Sequence, residues 1–426
     1  MRVAVIGAGW AGCAAAVEAT RLGYQTTLFE TARIPGGRAR RVGGTVAGEA
    51  VALDNGQHIL IGAYAETLRL MKDLGIDPDT ALLRLPLTLR FPDGSGLKLP
   101  NLPAPLDALT GIILAQGWSL ADKFSMLKTA VGWQLKKFQC EPGQSVADLC
   151  RGLSPGAMAS LIEPLCVSAL NTPAERASGQ VFLRVMHDSL FSESGGSNLL
   201  LPRTDLSALL PDAALAWLSA QGGTARLGAR VQSIAPVGSS WVVTTDVSAA
   251  FDCVVLACPP NEAARLIEGS GVAAEDWLAQ AGGLQHEALT TVYAWAPEAR
   301  LEQPMLALPA EPNEPAQFVF DRGQLGGPAG LLAFVISAST GDSAALTTQV
   351  LAQAKAQLWH LGMGPLEAVQ TIVEKRATFA CTPGLQRPGA DVAHGLWACG
   401  DYIEGPYPAT LEGAVRSGLE AARRLH

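Results

Sequence analysis

Val3-Ala4-Val5-Ile6-Gly7-Ala8-Gly9-Trp10-Ala11-Gly12, closed downstream by Leu28-Phe29-Glu30, is the stretch that decides the fold. It reads as a buried strand, a tight glycine turn, a helix and a second strand ending in an acid. Gly7 permits the turn, Gly9 lets the backbone approach a pyrophosphate, and Gly12 lets the helix pack close to the strand. The helix beginning at Trp10 and Ala11 then aims its free N–H groups and the positive end of its dipole at the phosphates. Glu30 stands where a carboxylate accepts hydrogen bonds from adenosine ribose hydroxyls and repels a 2′-phosphate, which disfavours NADP. The turn alone leaves NAD and FAD open. The following Ile34-Pro35-Gly36-Gly37-Arg38-Ala39-Arg40-Arg41 supplies a second glycine turn and three arginines that can close over the same pyrophosphate. A plain NAD dehydrogenase has no need of that second clamp, so FAD is the expected cofactor.

The 426 residues allow two or three domains and a large core. Apolar residues make up 48% of the chain and charged residues 16%, and the mean hydropathy is +0.21. That surplus belongs to a large core, an apolar substrate cavity or a membrane-facing patch. A net charge of −8 disfavours a nucleic-acid partner. No apolar run is long enough to span a bilayer, and a first strand beginning at Arg2 reads as leaving no signal peptide. The eight cysteines show no CxxC spacing and most sit in apolar runs, which reads as reduced thiols of a cytoplasmic protein with no metal framework.

Organisation follows from punctuation. A turn at 54–58 precedes a short strand near 59–62, and a helix is expected over 65–74. Residues 77–110 read as strands and turns, and 111–190 as mostly helical. Gly222-Gly223 ends a helix over 213–221, after which strands are expected over 226–231, 241–245 and 252–258, the last closed by Pro259-Pro260. Strands over 288–295, 317–320 and 331–337 and a helix over 343–361 come next. Gly395-Leu396-Trp397-Ala398-Cys399-Gly400-Asp401 is a strand ending in Gly-Asp, followed by a loop and a helix over 409–425. The expected fold class is α/β: a discontinuous Rossmann-like, glutathione reductase-type domain from residues 1–62, 200–275 and 376–426, and a mixed α+β substrate domain from 63–199 and 276–375.

Taken together, the GAGWAG turn, Glu30, Gly36-Gly37-Arg38, and Gly400-Asp401 followed by Pro408-Ala409-Thr410-Leu411-Glu412-Gly413-Ala414 resemble the amine oxidase and phytoene desaturase superfamily of FAD proteins. Asp54-Asn55-Gly56-Gln57-His58, 164–172 (PLCVSALNT) and 200–206 (LLPRTDL) resemble its squalene-associated branch. The resemblance covers nearly the whole chain. It implies that FAD lies extended across the first domain, that the Val231 backbone brackets the adenine, that Asp401 bonds the ribityl hydroxyls, and that the helix from Thr410 and Leu411 aims its N-terminus at the flavin. It further implies a long apolar isoprenoid substrate and removal of an allylic hydroxyl. Rival expectations are a carotenoid-type desaturase, an amine oxidase, or a non-catalytic prenyl-binding carrier of the same fold.

Replacing C–OH by C–H needs an acid, because hydroxide leaves poorly. His58 is the first candidate for the acid or for a ligand of the substrate oxygen; Tyr407 and Glu404 are the next. Gly362-Met363-Gly364 runs into Pro365 and lacks a third glycine, so electrons are expected from an external donor. In 120–138, Phe124, Leu127, Val131, Leu135 and Phe138 fall at helical spacing among Lys123, Lys128, Lys136 and Lys137, a pattern that fits peripheral contact with the inner membrane surface or packing on the substrate domain.

Overall fold

The computed structural model describes residues 1–192, 195–362 and 364–425; Met363, at the centre of the Gly362–Gly364 reading, lies outside them. A six-stranded sheet runs in the order Thr224–Leu227, Gln25–Glu30, Arg2–Ile6, Cys253–Leu256, Leu396–Ala398, Asp391–Ala393. The first five strands are parallel and the last is antiparallel. Val3, Val5 and Val255 face one apolar cluster while Ala4, Ile6 and Leu256 face another, which is why these strands read as unbroken hydrophobic runs. Trp10–Arg21 packs against the C-terminal helix Leu411–Arg423. That contact is set by Gly418, whose added Cβ would lie 2.1 Å from the Ala11 carbonyl oxygen. The two ends of the chain are thereby held side by side.

The second domain is built on an antiparallel sheet ordered Met305–Ala307, Phe318–Asp321, Leu331–Ser337, His286–Trp295, Glu367–Phe379. Strand alternation divides its two faces. Val292, Ala294, Leu332, Phe334 and Ile336 pack against the helix Ser343–Gln357, whereas Tyr293, Leu331, Ala333 and Val335 join the large central cluster. That cluster runs without a break from Ile6 and Phe29 of the first domain to Leu161, Phe182 and Met186 of the helical segment.

Three readings are corrected. The strand expected over 226–231 is Thr224–Leu227, and Arg230 and Val231 lie in the loop beyond it. Residues 77–110 hold not only short strands but most of a helix, Leu106–Leu114. Glu367–Phe379 crosses the boundary expected at 376 and belongs to the second sheet throughout. Among the described residues no helix is long and apolar enough to cross a membrane.

Candidate functional site

The first glycine turn is fixed by clearances that only glycine satisfies. Gly7 donates to the Phe29 carbonyl at 2.7 Å, has φ +114°, and an added Cβ would stand 2.5 Å from Ala257 O. An added Cβ on Gly12 would lie 1.9 Å from Gly7 O. Gly9 caps the helix Trp10–Arg21, leaving the N–H groups of Trp10, Ala11 and Gly12 in the first turn without intrahelical partners. The second turn lies directly on the first: Gly36 N–H donates to Ala8 O at 2.8 Å, Gly9 and Gly36 form a bridge, and an added Cβ on Gly37 would reach 3.2 Å from Gly9 Cα. Trp10 contributes backbone alone, since its side chain is buried and donates to Ala39 O at 3.2 Å.

Glu30 closes this crevice. Its carboxylate accepts from the amides of Ala8 (2.7 Å) and Ala32 (2.8 Å), which locks its position and leaves lone pairs to spare. Cys258 borders the same crevice, and burial pushes its thiol up to about 12. Val231 is buried; its carbonyl accepts from Arg265 at 3.1 Å, and among the described residues its N–H has no partner.

The three arginines separate. Arg38 turns inward, donating to Asp401 Oδ1 at 2.5 Å and to the Ala377 carbonyl at 2.6 Å. Burial works against its charge, and the Asp401 carboxylate more than offsets that cost. Arg40 donates to Gly37 O, and Arg41 is committed to Asp205 and Asp212. Only Arg38 thus joins the second glycine turn to the Gly400-Asp401 corner. From that corner the chain turns through Ala409 (φ +58°), whose N–H donates to Asp401 O at 3.1 Å. Thr410 then caps the helix Leu411–Arg423, its hydroxyl accepting from Gly413 N–H at 2.9 Å. Leu411 packs into the apolar cluster beneath.

His58 is half-buried. Its Nδ1 lies 2.7 Å from the Gly56 carbonyl. A carbonyl only accepts, so Nδ1 carries the proton and Nε2 the lone pair. Burial, and then the nearby Arg38 charge, hold the ring below the usual histidine range even though the Gly56 carbonyl favours protonation. In this arrangement Nε2 of the neutral ring is a hydrogen-bond acceptor, whereas the acid role expected of His58 calls for the protonated ring. The other two candidates are not brought to it. Glu404 is exposed, and its N–H donates to Pro388 O. Tyr407 donates to Asp188 Oδ2 at 2.9 Å, with burial and this carboxylate pushing its phenol up to about 12.

Further residues of the site either lie outside the quoted motifs, as Tyr64 and His286 do, or lie within them with no role assigned from sequence, as Asp54, Asn55, Gln57 and Glu412 do. Tyr64 is enclosed beside Thr410 and Glu412, and burial raises its phenol pKa. Glu412, fully buried, accepts from the amides of Glu66 and Thr67, the Thr67 hydroxyl and Arg416 Nε, and so ties the C-terminal helix to Ala65–Asp73. His286 stands near Arg38, and burial lowers its pKa. Asn55 bridges Arg38 O (3.0 Å) and Glu374 (2.9 Å). Asp54 seals the domain seam: Oδ1 accepts from Leu206 N–H at 2.8 Å, Arg322 lies 3.7 Å from Oδ2, and Tyr293 Oη donates to Asp54 O. Burial pushes the Asp54 carboxyl up to about 6. Gln57 accepts from Arg322 at 3.2 Å.

This is a dinucleotide cradle: unpaired helix N–H groups, two opposed glycine turns that a Cβ would fill, a ribose acid and a second helix N-terminus at the far end. The family model for flavin-containing amine oxidoreductases matches residues 10–426. The chain belongs to that family. It is an FAD-dependent oxidoreductase, and the residues just described fit the cofactor: Gly9, Trp10, Ala11, Gly12, Gly36 and Gly37 would hold its pyrophosphate, Glu30 its ribose, and Asp401 and the Thr410 helix its flavin end. A hydroxysqualene dehydroxylase of Rhodopseudomonas palustris is 28% identical, covering 99% of this chain and 97% of the relative. Another from Zymomonas mobilis is 26% identical, covering 98% and 97%. Among solved structures, an oxidoreductase from Methanosarcina mazei superposes with a TM-score of 0.73 at 18% identity, covering the whole of both chains.

Proposed function

We propose that this flavoprotein removes the allylic hydroxyl of hydroxysqualene reductively to give squalene, using electrons from an external donor. The observation that carries this reading is similarity along nearly the full length of both chains to proteins named for that reaction, through the substrate domain as well as the cradle. The reaction adds a hydride and a proton, breaks C–O, forms C–H and releases water. Reduced FAD, when bound, supplies the hydride.

The chain's own residues hold and isolate the substrate. An apolar lining on the substrate-domain side would hold a C30 chain and exclude water from an electron-deficient allylic carbon. His58 Nε2, with Nδ1 pinned to Gly56, accepts from the substrate hydroxyl and orients it, and the neutral ring leaves the proton to be supplied from elsewhere. Arg38 and Asn55 hold the Asp54–His58 segment against the Asp401 corner, which fixes the position of His58.

The test is incubation of flavin-loaded protein with hydroxysqualene under reducing conditions, and with carotenoid precursors under oxidising conditions. Squalene is expected from the first and nothing from the second; desaturated product from the second alone overturns the reading. His58→Ala is expected to keep its flavin and lose at least tenfold in squalene formation; full turnover would remove His58 from the site. A colourless protein that takes up no flavin would instead favour a prenyl-binding carrier.

A further inference from the structure

The helix Leu120–Leu135 turns its face the opposite way to part of the stripe expected of it. Met126, Leu127, Ala130 and Trp133 pack inward and Phe138 is buried, whereas Leu120 (86%), Phe124 (71%), Val131 and Leu135 (80%) are exposed to solvent. The neighbouring helix Leu106–Leu114 does the same, burying Asp107, Gly111 and Ile112 and exposing Leu106, Ile113 and Leu114. The two helices pack on each other, and Lys123 Nζ donates to the Ile113 carbonyl at 2.8 Å. Of the sixteen large hydrophobic side chains exposed among the described residues, nine fall between Leu102 and Leu135. Apolar groups this concentrated on one surface mark a contact site rather than ordinary exposure.

Charge identifies the occupant. Five of the chain's eight lysines (Lys98, Lys123, Lys128, Lys136 and Lys137) lie in 98–138, with two acids and no arginine, in a protein whose net charge is −8. Of the two acids, Asp107 is buried and Asp122 is used in the capping box at Ser119. A second copy docked on this face by two-fold symmetry would set lysines against lysines. A lipid leaflet carrying anionic headgroups takes both components at once, apolar side chains below the headgroups and lysines among them. We propose that the helices Leu106–Leu114 and Leu120–Leu135 together form a docking surface for an anionic bilayer. The docking surface stands independently of the reaction assigned above.

Flotation of the flavin-loaded protein with vesicles tests this. One set is phosphatidylcholine alone, the other equal parts phosphatidylcholine and phosphatidylglycerol. Wild type is expected to float with the anionic vesicles, at least tenfold more than with the neutral ones at low salt. Combined Leu120→Glu, Phe124→Glu and Leu135→Glu is expected to abolish flotation with flavin content and melting temperature unchanged, since all three side chains are exposed. Combined Lys128→Gln, Lys136→Gln and Lys137→Gln is expected to erase the anionic preference. Wild type that stays in the dense fraction with both vesicles overturns the proposal, as does flotation that the glutamate variant retains. A dimer in size-exclusion chromatography that the glutamate variant dissociates, without flotation, assigns the face to a second copy and also overturns it.

Discussion

The glycine cradle and the substrate domain are packed to similar completeness, yet they are specified by different atoms. In the cradle the close approaches are backbone to backbone: a Cβ on Gly12 meets Gly7 O at 1.9 Å, and one on Gly418 meets Ala11 O at 2.1 Å. In the substrate domain, Leu161, Ile162 and Phe182 are as thoroughly buried, but they lie in a cluster of side chains. Main chain in a sheet and its flanking helices has nowhere to go, whereas side chains change rotamer and share out a small misfit. The first region therefore tolerates almost no change of residue, and the second tolerates any apolar set of similar volume.

The largest effect separates the two regions outright. Gly12→Ala is expected to lose tightly held flavin altogether, read by the visible spectrum of the purified protein, because the Trp10–Arg21 helix must shift to admit one methyl group. Normal flavin content in that variant would break the comparison. The next effect belongs to the seam. Asp54 is raised to about 6 in the folded protein against an ordinary carboxylate value near 4, so the folded state prefers it neutral. Stability that Asp54 contributes in acid is lost as pH rises from about 4 through about 6, by up to ~3 kcal/mol at two pKa units. Denaturation of wild type and Asp54→Asn across that range is expected to show the wild type losing ground to the variant as pH rises; parallel profiles would mean that Asp54 titrates alike in the folded and unfolded chain.

Gly9→Ala sharpens the distinction between folding and binding within the cradle. Its added Cβ would lie no closer than 3.9 Å to Gly37 Cα, so the melting temperature of the flavin-free protein is expected to hold. Flavin affinity is expected to fall at least tenfold, about 1.4 kcal/mol, because the methyl group stands where backbone must approach phosphate. Equal loss of both would make Gly9 a packing residue like Gly12. The smallest effect is expected in the substrate domain, where Leu161→Met should cost under about 1.5 kcal/mol in denaturant unfolding and leave flavin content unchanged. A larger loss would show that side-chain packing there is as exacting as the cradle.

This contrast also explains what could be read from the sequence. Glycine spacing was legible because it answers backbone clearances that no other residue type meets, and Glu30 and Asp401 because each is a carboxylate at or just beyond the end of a strand of the same sheet. The strands Leu331–Ser337 and Cys253–Leu256 were legible as unbroken apolar runs, since both of their faces are buried. Glu367–Phe379 was not, because it is half-buried along most of its length and carries Glu374, Lys375 and Arg376 mid-strand. The partner of Arg38 was hidden by a separation of 363 residues, and Glu412, read as part of a helix start, is a buried brace for a helix 345 residues away. His58 was singled out by its motif, but its surroundings were not legible, because the carbonyl beside Nδ1 and the Arg38 charge that disfavours protonation are placed by the fold. Tyr407 and Glu404 were chosen for their position before the Thr410 helix, and nothing in the sequence tells that one is committed to Asp188 and the other faces solvent.

The central claim is that this cradle delivers reducing equivalents to an allylic alcohol across the domain seam. Its most direct test is an anaerobic single turnover: protein with its flavin reduced, mixed with hydroxysqualene and followed by visible absorbance and by extraction of product. The account predicts that oxidised flavin returns as squalene appears, in equal amounts. Flavin that stays reduced while hydroxysqualene is recovered unchanged would contradict it.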